Sequence, residues 1–321
     1  MANKSILITG GAGLIGSHLT ENLIDEYQVT CVDNFTTGSK DNIKHLLDHP
    51  NYKFIEADAS QPPSSYLTPN TQYNFIFHLA SPASPVGYQQ NPIETYKVNA
   101  FGTHYLLEYA RKIGARFLFA STSEIYGDPE VHPQPETYWG NVNPNGIRSC
   151  YDESKRFGEM VCMTFSRKHN TDIRIVRIFN TYGPRNDPND GRVVPSFIMQ
   201  ALQNKAITVY GDGSQTRSFC YVSDLVEGIK KAMFTEGQSG LVVNLGNPHE
   251  FKIVDFANLI RQITNSTSEI EFKPLPDDDP KQRQPDITKA KTTLGWEPKV
   301  SIEEGLKPTV EYFKKVLSAK S

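Results

Sequence analysis

The sequence predicts an α/β fold: a doubly wound parallel sheet with a smaller C-terminal lobe. Three observations carry that reading. Short apolar runs of strand length alternate with segments of helical periodicity through the first 180 residues. The first run ends directly in a glycine cluster. Beyond Asn180 the texture changes to breaker-rich loops and short, widely spaced strands.

Taken in order, Lys4–Thr9 is an apolar run bounded by glycines, as expected for a strand covered on both faces. Gly10 to Gly16 follows, and then a helical pattern with Leu19, Leu23 and Ile24 on one face. Val29–Asp33 is a second strand ending in an acid, and further strands are expected at Tyr52–Glu56, Phe75–Leu79, Phe117–Ala120 and Ile173–Ile178. Helical patterns at Ile93–Ile113 and Tyr151–His169 separate the later ones. Tyr182–Gly191 is a long run rich in Pro, Gly, Asn and Asp, and Lys273–Pro285 is Pro-rich. A nucleotide-binding domain over 1–185 is expected, with returning segments near 219–250 and a strand at Val242–Leu245 rejoining the sheet. Residues 186–321 would form mainly the substrate-binding lobe.

Composition excludes several classes. With 38% apolar and 21% charged residues among 321, the chain has enough of each for a packed core and a wetted surface, which rules out disorder. A formal charge of −3 is not the basic footprint of a nucleic-acid binder, so any anionic ligand must meet a local cluster of cations. Cys31, Cys150, Cys162 and Cys220 form no C-x-x-C pair and no zinc-finger spacing, so free thiols and no metal site are expected. No apolar run reaches the ~18 residues of a membrane span. The early strand leaves no room for a signal peptide, so a cytoplasmic protein is expected.

Gly11, Gly13 and Gly16 satisfy G-x-G-x-x-G, and Gly10, Gly13 and Gly16 satisfy G-x-x-G-x-x-G. Either spacing serves one purpose: missing Cβ atoms allow a tight turn, close approach to a pyrophosphate, and tight helix–strand packing. The helix N-terminus then offers free N–H groups to the phosphates. Asp33, at the end of the next strand, would accept the ribose hydroxyls of NAD and repel the extra phosphate of NADP. Asp58 would either meet the adenine edge or cap its own loop. These features indicate a Rossmann-type site for NAD.

Two segments carry chemistry: Ala120–Gly127, directly after a strand, and Tyr151–Lys155, opening a helix. Tyr151 and Lys155 are four residues apart and share a helical face. A phenol near pKa ~10 is a poor base, but an adjacent ammonium and a cationic nicotinamide would favour the phenolate. Tyr151 would then take a proton from a sugar hydroxyl as it is oxidised, with Thr122 bonded to the same oxygen.

Over its whole length the chain resembles the extended short-chain dehydrogenase/reductase family, and within it the UDP-glucuronate decarboxylase branch. The matching stretches are His78–Pro85, Ser121–Pro133, Arg177–Arg185 with Asn189–Arg192, Gly213–Arg217 and Asp278–Asp286. The resemblance implies decarboxylation of UDP-glucuronate to UDP-xylose and CO2, with a tightly bound NAD recycled each turnover. It also implies that Leu14, Ile15, Asn34, Phe35, Thr36, Gly38, Ala59, Leu79 and Ser81 join the cofactor site.

Glu124 is the candidate acid/base near the sugar C-5. Ser123 stands where related 4,6-dehydratases carry an Asp for a departing hydroxyl, and a second carboxylate there would repel the substrate's own. By resemblance Arg283 enters the site to hold the carboxylate or the water at C-5, although Gln284 replaces a Lys common in the family. Arg192 and Arg217 are candidates for the diphosphate because a guanidinium fork matches phosphate geometry. The resemblance adds Asn180, Tyr210 and Gln215 along the nucleotide, and Lys97 would reach sugar or cofactor. The apolar stripes on the two long helices exceed what one sheet face needs; core packing would give the same stripes, and the resemblance implies that such helices pair in a homodimer. The alternatives are a nucleotide-sugar 4-epimerase or 4,6-dehydratase and, more remotely, a non-catalytic NAD-binding regulator.

Overall fold

A computed structural model describes residues 4–275 and 282–319. In chain order its strands are β1 (Ser5–Thr9), β2 (Gln28–Asp33), β3 (Tyr52–Glu56), β4 (Phe75–His78), β5 (Arg116–Thr122), β6 (Ile173–Ile178), β7 (Thr181–Tyr182), β8 (Ile207–Tyr210), β9 (Thr216–Ser218), β10 (Cys220–Tyr221), β11 (Leu241–Leu245), β12 (Glu250–Lys252) and β13 (Ile270–Lys273). Its helices are α1 (Leu14–Leu23), α2 (Pro85–Gln90), α3 (Pro92–Lys97), α4 (Thr103–Ile113), α5 (Ser149–His169), α6 (Val193–Leu202), α7 (Val222–Phe234), α8 (Ile253–Thr264), α9 (Thr288–Leu294) and α10 (Ile302–Ser318).

Seven strands form one parallel sheet in the order β11-β6-β5-β4-β1-β2-β3. The expected α/β class and doubly wound sheet are thus observed. Its central strands are apolar through their middles because both faces are covered. On one face α1, α7 and α9 bury Leu19, Leu225 and Leu294; on the other α4 and α5 bury Leu106 and Val161. A third apolar cluster joins α6, α8, α10 and β8 through Phe197, Phe256 and Phe313.

The chain runs outward through β1, β2 and β3 and then crosses back to β4 on the other side of β1. This reversal opens a crevice at the carboxyl ends of the strands, where ligands of such sheets bind. Thr9, Asp33, His78 and Thr122 stand at those ends.

One element differs from the sequence expectation. The helix expected over Ile93–Ile113 begins at Pro92 and is interrupted by a π turn at Val98–Gly102. Pro92 suits a first helical turn because its missing N–H has no partner there anyway. Gly102 in the wide turn lets the helix press onto the loop after β3: a Cβ there would stand 2.6 Å from the Ala59 carbonyl oxygen. Among the described residues no helix is long and apolar enough to cross a membrane, and all four cysteines are free thiols.

Candidate active site

The glycine turn between β1 and α1 is built from backbone. Gly10 has φ +77°, and a Cβ on it would lie 2.7 Å from the Ala80 nitrogen. A Cβ on Gly16 would lie 2.1 Å from the Gly10 carbonyl oxygen, so α1 can pack this closely on the turn only without a side chain there. Gly13 is the N-cap of α1 and supplies no side-chain acceptor, which leaves the first-turn N–H groups available to a ligand.

Asp33 closes the turn from β2. Its carboxylate accepts hydrogen bonds from the backbone N–H of Ala12 (2.9 Å) and of Phe35 (2.8 Å), while burial pushes its carboxyl up. Gly10, Gly13, Asp33, Asn34, Thr36, Gly38, Asp58, Ala59, Leu79 and Ser81 line one cleft. Leu14 and Ile15 instead turn their side chains to the core. Phe35 packs into a small cluster with Ala12, Ile24, Ile43 and Leu46. These three can offer a ligand mainly backbone. Asp58 accepts from the N–H and hydroxyl of Ser60, both at 2.8 Å, so it caps its loop and also lines the cleft. A glycine cradle, an uncapped helix start and a buried acid at the next strand end fit a dinucleotide with a free ribose diol.

Across the crevice, α5 presents Tyr151 and Lys155, both buried. Lys155 Nζ donates to the Ala120 carbonyl (2.7 Å) and lies 5.9 Å from the centre of the Tyr151 ring. Thr122, at the end of β5, faces the Tyr151 hydroxyl and favours its ionised form. Tyr88 stacks on Tyr151, with centroids 5.1 Å apart and planes 8° from parallel. Burial dominates the titration of both groups: it pushes the Tyr151 phenol well above its ordinary range, against the pull of Thr122, and lowers Lys155 to about 7. The sequence expectation is an ammonium and a cationic nicotinamide together, and Lys155 by itself does not offset the burial of the ring.

Glu124 sits in the tight turn after β5, where Thr122 Oγ1 accepts its N–H (3.2 Å). Its carboxylate is clamped between two guanidiniums, Arg283 from the C-terminal loop and Arg148 from the approach to α5. Burial alone would raise this carboxyl, but Arg283 and Arg148 outweigh it and hold it at about 2. Glu124 is therefore a carboxylate, and it can donate a proton only after one guanidinium lets go. Ser123, the position without a carboxylate, is buried beside it.

Arg283 is aimed by a lattice of hydrogen bonds that sequence reasoning did not find. Gln134, fully buried, accepts from the Gln284 N–H through its side chain (2.9 Å), and its own N–H donates to the Gln284 carbonyl (2.9 Å). Asn244 at the end of β11 donates to the carbonyls of Gln134 (2.9 Å) and Asp286 (3.1 Å). It accepts from Tyr126 (2.8 Å), whose oxygen in turn accepts from Arg177 (2.9 Å), and Arg177 forks onto Glu159 of α5. The Asp278–Lys281 part of the acidic run lies outside the described residues.

The remaining candidates surround this centre. Arg192 caps the start of α6 and forks onto Asp190 (2.5 to 2.9 Å), close enough to act electrostatically on Tyr151. Arg217 is buried on β9. Gln215 donates to the Tyr210 carbonyl (2.5 Å), and the Tyr210 side chain is largely exposed. Asn180 uses its carbonyl to accept from the Cys220 N–H (2.9 Å), and Lys97 is exposed at the end of α3. Arg148, Asp152, Tyr88 and Gln134 are residues of the site that the sequence reading missed. Only Arg148 and Asp152 left a signal, being four apart beside Tyr151.

A parallel sheet with a glycine turn at its switch point and a Tyr-x-x-x-Lys helix across the crevice define a short-chain dehydrogenase/reductase-type enzyme. The family model described as GDP-mannose 4,6 dehydratase matches residues 7–309. UDP-glucuronic acid decarboxylase 1 of Xenopus tropicalis is 54% identical over 315 residues, 98% of this chain and 73% of that protein. UDP-glucuronic acid decarboxylase 5 of Arabidopsis thaliana is 50% identical over 315 residues, 98% of this chain and 90% of that protein. Among solved structures, a UDP-glucuronic acid 4-epimerase from Bacillus cereus, in complex with UDP-glucuronic acid and NAD, superposes with a TM-score of 0.86. It is 30% identical, with 97% of this chain and 99% of that one covered. A UDP-glucose 4-epimerase from Thermotoga maritima with UDP-glucose gives 0.87 at 35% identity, covering 98% and 99%. The chain belongs to the extended short-chain dehydrogenase/reductase family and, within it, groups with the UDP-glucuronic acid decarboxylases.

Proposed function

We propose that the protein decarboxylates UDP-glucuronate to UDP-xylose and CO2 through a 4-keto intermediate. The observation that carries this reading is the Glu124 carboxylate held by Arg283 and Arg148 directly beside Tyr151, with Ser123 in place of a further acid. The chemistry needs an electron sink at C-4, because a ketone there makes the C-6 carboxylate that of a β-keto acid. Gly10, Gly13, Gly16 and Asp33 would hold NAD, with Asp33 favouring the unphosphorylated ribose, and the cofactor would supply a reversible hydride acceptor for C-4 and a positive charge to offset the burial of the Tyr151 phenol.

Tyr151 removes the proton of the C-4 hydroxyl, with Thr122 bonded to the same oxygen and Lys155 next to the ring. After CO2 leaves, Tyr151 and Thr122 stabilise the enolate oxygen. Arg283 exchanges Glu124 for the substrate carboxylate, and Glu124 then serves the proton transfer at C-5. Arg192 and Arg217 neutralise the diphosphate, with Asn180, Tyr210, Gln215 and Lys97 along the nucleotide and sugar. The nucleotide-binding domain ends near residue 185 and the substrate lobe occupies most of the remainder. A homodimer in the cytoplasm is the setting we propose: Ile93, Tyr96, Phe101, Phe157 and Met160 are exposed apolar side chains on the segment from α3 to α4 and on α5.

Incubating the pure protein with UDP-glucuronate and no added NAD should yield UDP-xylose, identified by NMR. UDP-galacturonate as product would instead establish a 4-epimerase, and net accumulation of reduced cofactor an ordinary dehydrogenase.

A further inference from the structure

Decarboxylation removes a carboxylate and puts a proton on C-5, so every turnover must place one proton inside a buried site. Glu124, clamped by two guanidiniums, carries none in this state. A second carboxyl lies close behind it. Asp152, one turn into α5, is buried and meets Arg148 only at 3.9 Å. Among the described residues its other oxygen, Oδ1, is buried with no hydrogen-bond partner, and so is the hydroxyl of Tyr88, which stacks on Tyr151. An ionised carboxylate with an orphaned oxygen is costly in such a place, and a protonated one far less so.

We infer that Asp152 and Glu124, the two carboxyls that face Arg148, hold one proton between them, and that the substrate's carboxylate, by drawing Arg283 off Glu124, moves that proton onto Glu124. The inference rests on the decarboxylase reading above and deepens it. Asp152 faces Glu124 from the turn after β5, Arg148 from the approach to its own helix, Arg283 from the C-terminal loop and Glu153 beside it on α5. Burial and the Glu124 charge raise Asp152 to about 7, while Arg148 and Arg283 pull the other way. With Arg283 on Glu124, the proton sits on Asp152. Once Arg283 turns to the substrate, Glu124 loses its stronger cation and its proton affinity rises. Asp152 gives up the proton, ionises, and takes the larger share of Arg148. After CO2 departs, the enolate electron pair forms the C-5–H bond, the Glu124 O–H bond breaks, and solvent reprotonates Asp152 on product release. Asp152 is thus a positioning residue for the proton, acting through Glu124.

The test follows the two halves of one turnover against pH in wild type, Asp152→Asn and Asp152→Glu. Wild-type C-5 protonation should fall as pH rises through about 7, because Asp152 empties. Asp152→Asn should lose that limb and slow C-5 protonation by about tenfold or more, while the initial C-4 oxidation stays near wild type. Asp152→Glu should restore the limb. Asp152→Asn that keeps the limb, or that slows both halves equally, would overturn the inference. Should Asp152→Asn fail to fold, carbon NMR of wild-type protein labelled at its aspartate carboxyls decides the matter: one buried carboxyl should titrate near neutrality and ionise when UDP-glucuronate binds. A spectrum with no such group would overturn it. Wild-type protein making no UDP-xylose would sink the decarboxylase reading itself, which separates the two failures.

Discussion

The two walls of the crevice are built on opposite plans. The dinucleotide wall is mostly backbone: Gly10, Gly13, Gly16 and the first turn of α1 come from one stretch of chain, and the charged side chains around them, Asp33, Asp58 and Glu94, are all carboxylates. The reactive wall is side chains from distant segments, with Glu124, Arg148 and Arg283 meeting although 159 residues separate Glu124 from Arg283. The first wall depends on the absence of atoms, and the second on the precise placement of charge. The first should therefore fail sterically and lose its ligand, whereas the second should fail chemically and keep it.

The largest effect should come from Tyr151→Phe, which removes the base from the reactive wall. Stopped-flow absorbance should show C-4 oxidation slowed by ~10²–10⁴, with CO2 release slowed alongside it and cofactor content unchanged. Next is Gly16→Ala on the other wall, where the new methyl would meet the Gly10 carbonyl backbone. Overpacking of this kind costs ~1–3 kcal/mol, and both the melting temperature and the NAD retained through purification should drop.

Gln134→Ala tests the lattice behind Arg283 rather than the charged groups themselves. It leaves the Gln284 N–H without its side-chain acceptor and loosens the segment that aims Arg283. The cost in stability should be ~1–3 kcal/mol, with CO2 release slowed more than C-4 oxidation and NAD content unchanged. The smallest effect is expected for Asp33→Asn, which keeps the shape of the ribose wall and removes its charge. Preference for NAD over NADP should fall by about tenfold, equivalent to ~1.4 kcal/mol, when stripped protein is reconstituted with each.

The same contrast explains what was legible in the sequence. The glycine turn and Asp33 are local, and their spacing alone states their geometry. Tyr151 and Lys155 are one helical turn apart, so their juxtaposition needs only the helix. Strands β3 and β6 match their expected bounds: β6 is a buried and mainly apolar run, and edge strand β3 sets half-buried Tyr52, Phe54 and Ile55 among exposed Lys53 and Glu56. Gln134, Asn244 and Tyr126 left no such mark. They act through contacts spanning 42 to 150 residues, and each is an ordinary polar or aromatic residue until the fold closes. Arg283 entered through the family resemblance, since nothing in a charged loop says which strand end it will reach. The π turn at Val98–Gly102 was hidden for a related reason: one inserted residue barely disturbs the helical period.

The most direct test of the account is turnover of UDP-glucuronate in heavy water, with the product read by NMR. Decarboxylation through a C-4 ketone and an enolate predicts UDP-xylose carrying one deuterium at C-5, none at C-4, and no lasting rise in reduced-cofactor absorbance. UDP-xylose without deuterium at C-5, or a product that keeps its carboxylate, would contradict it.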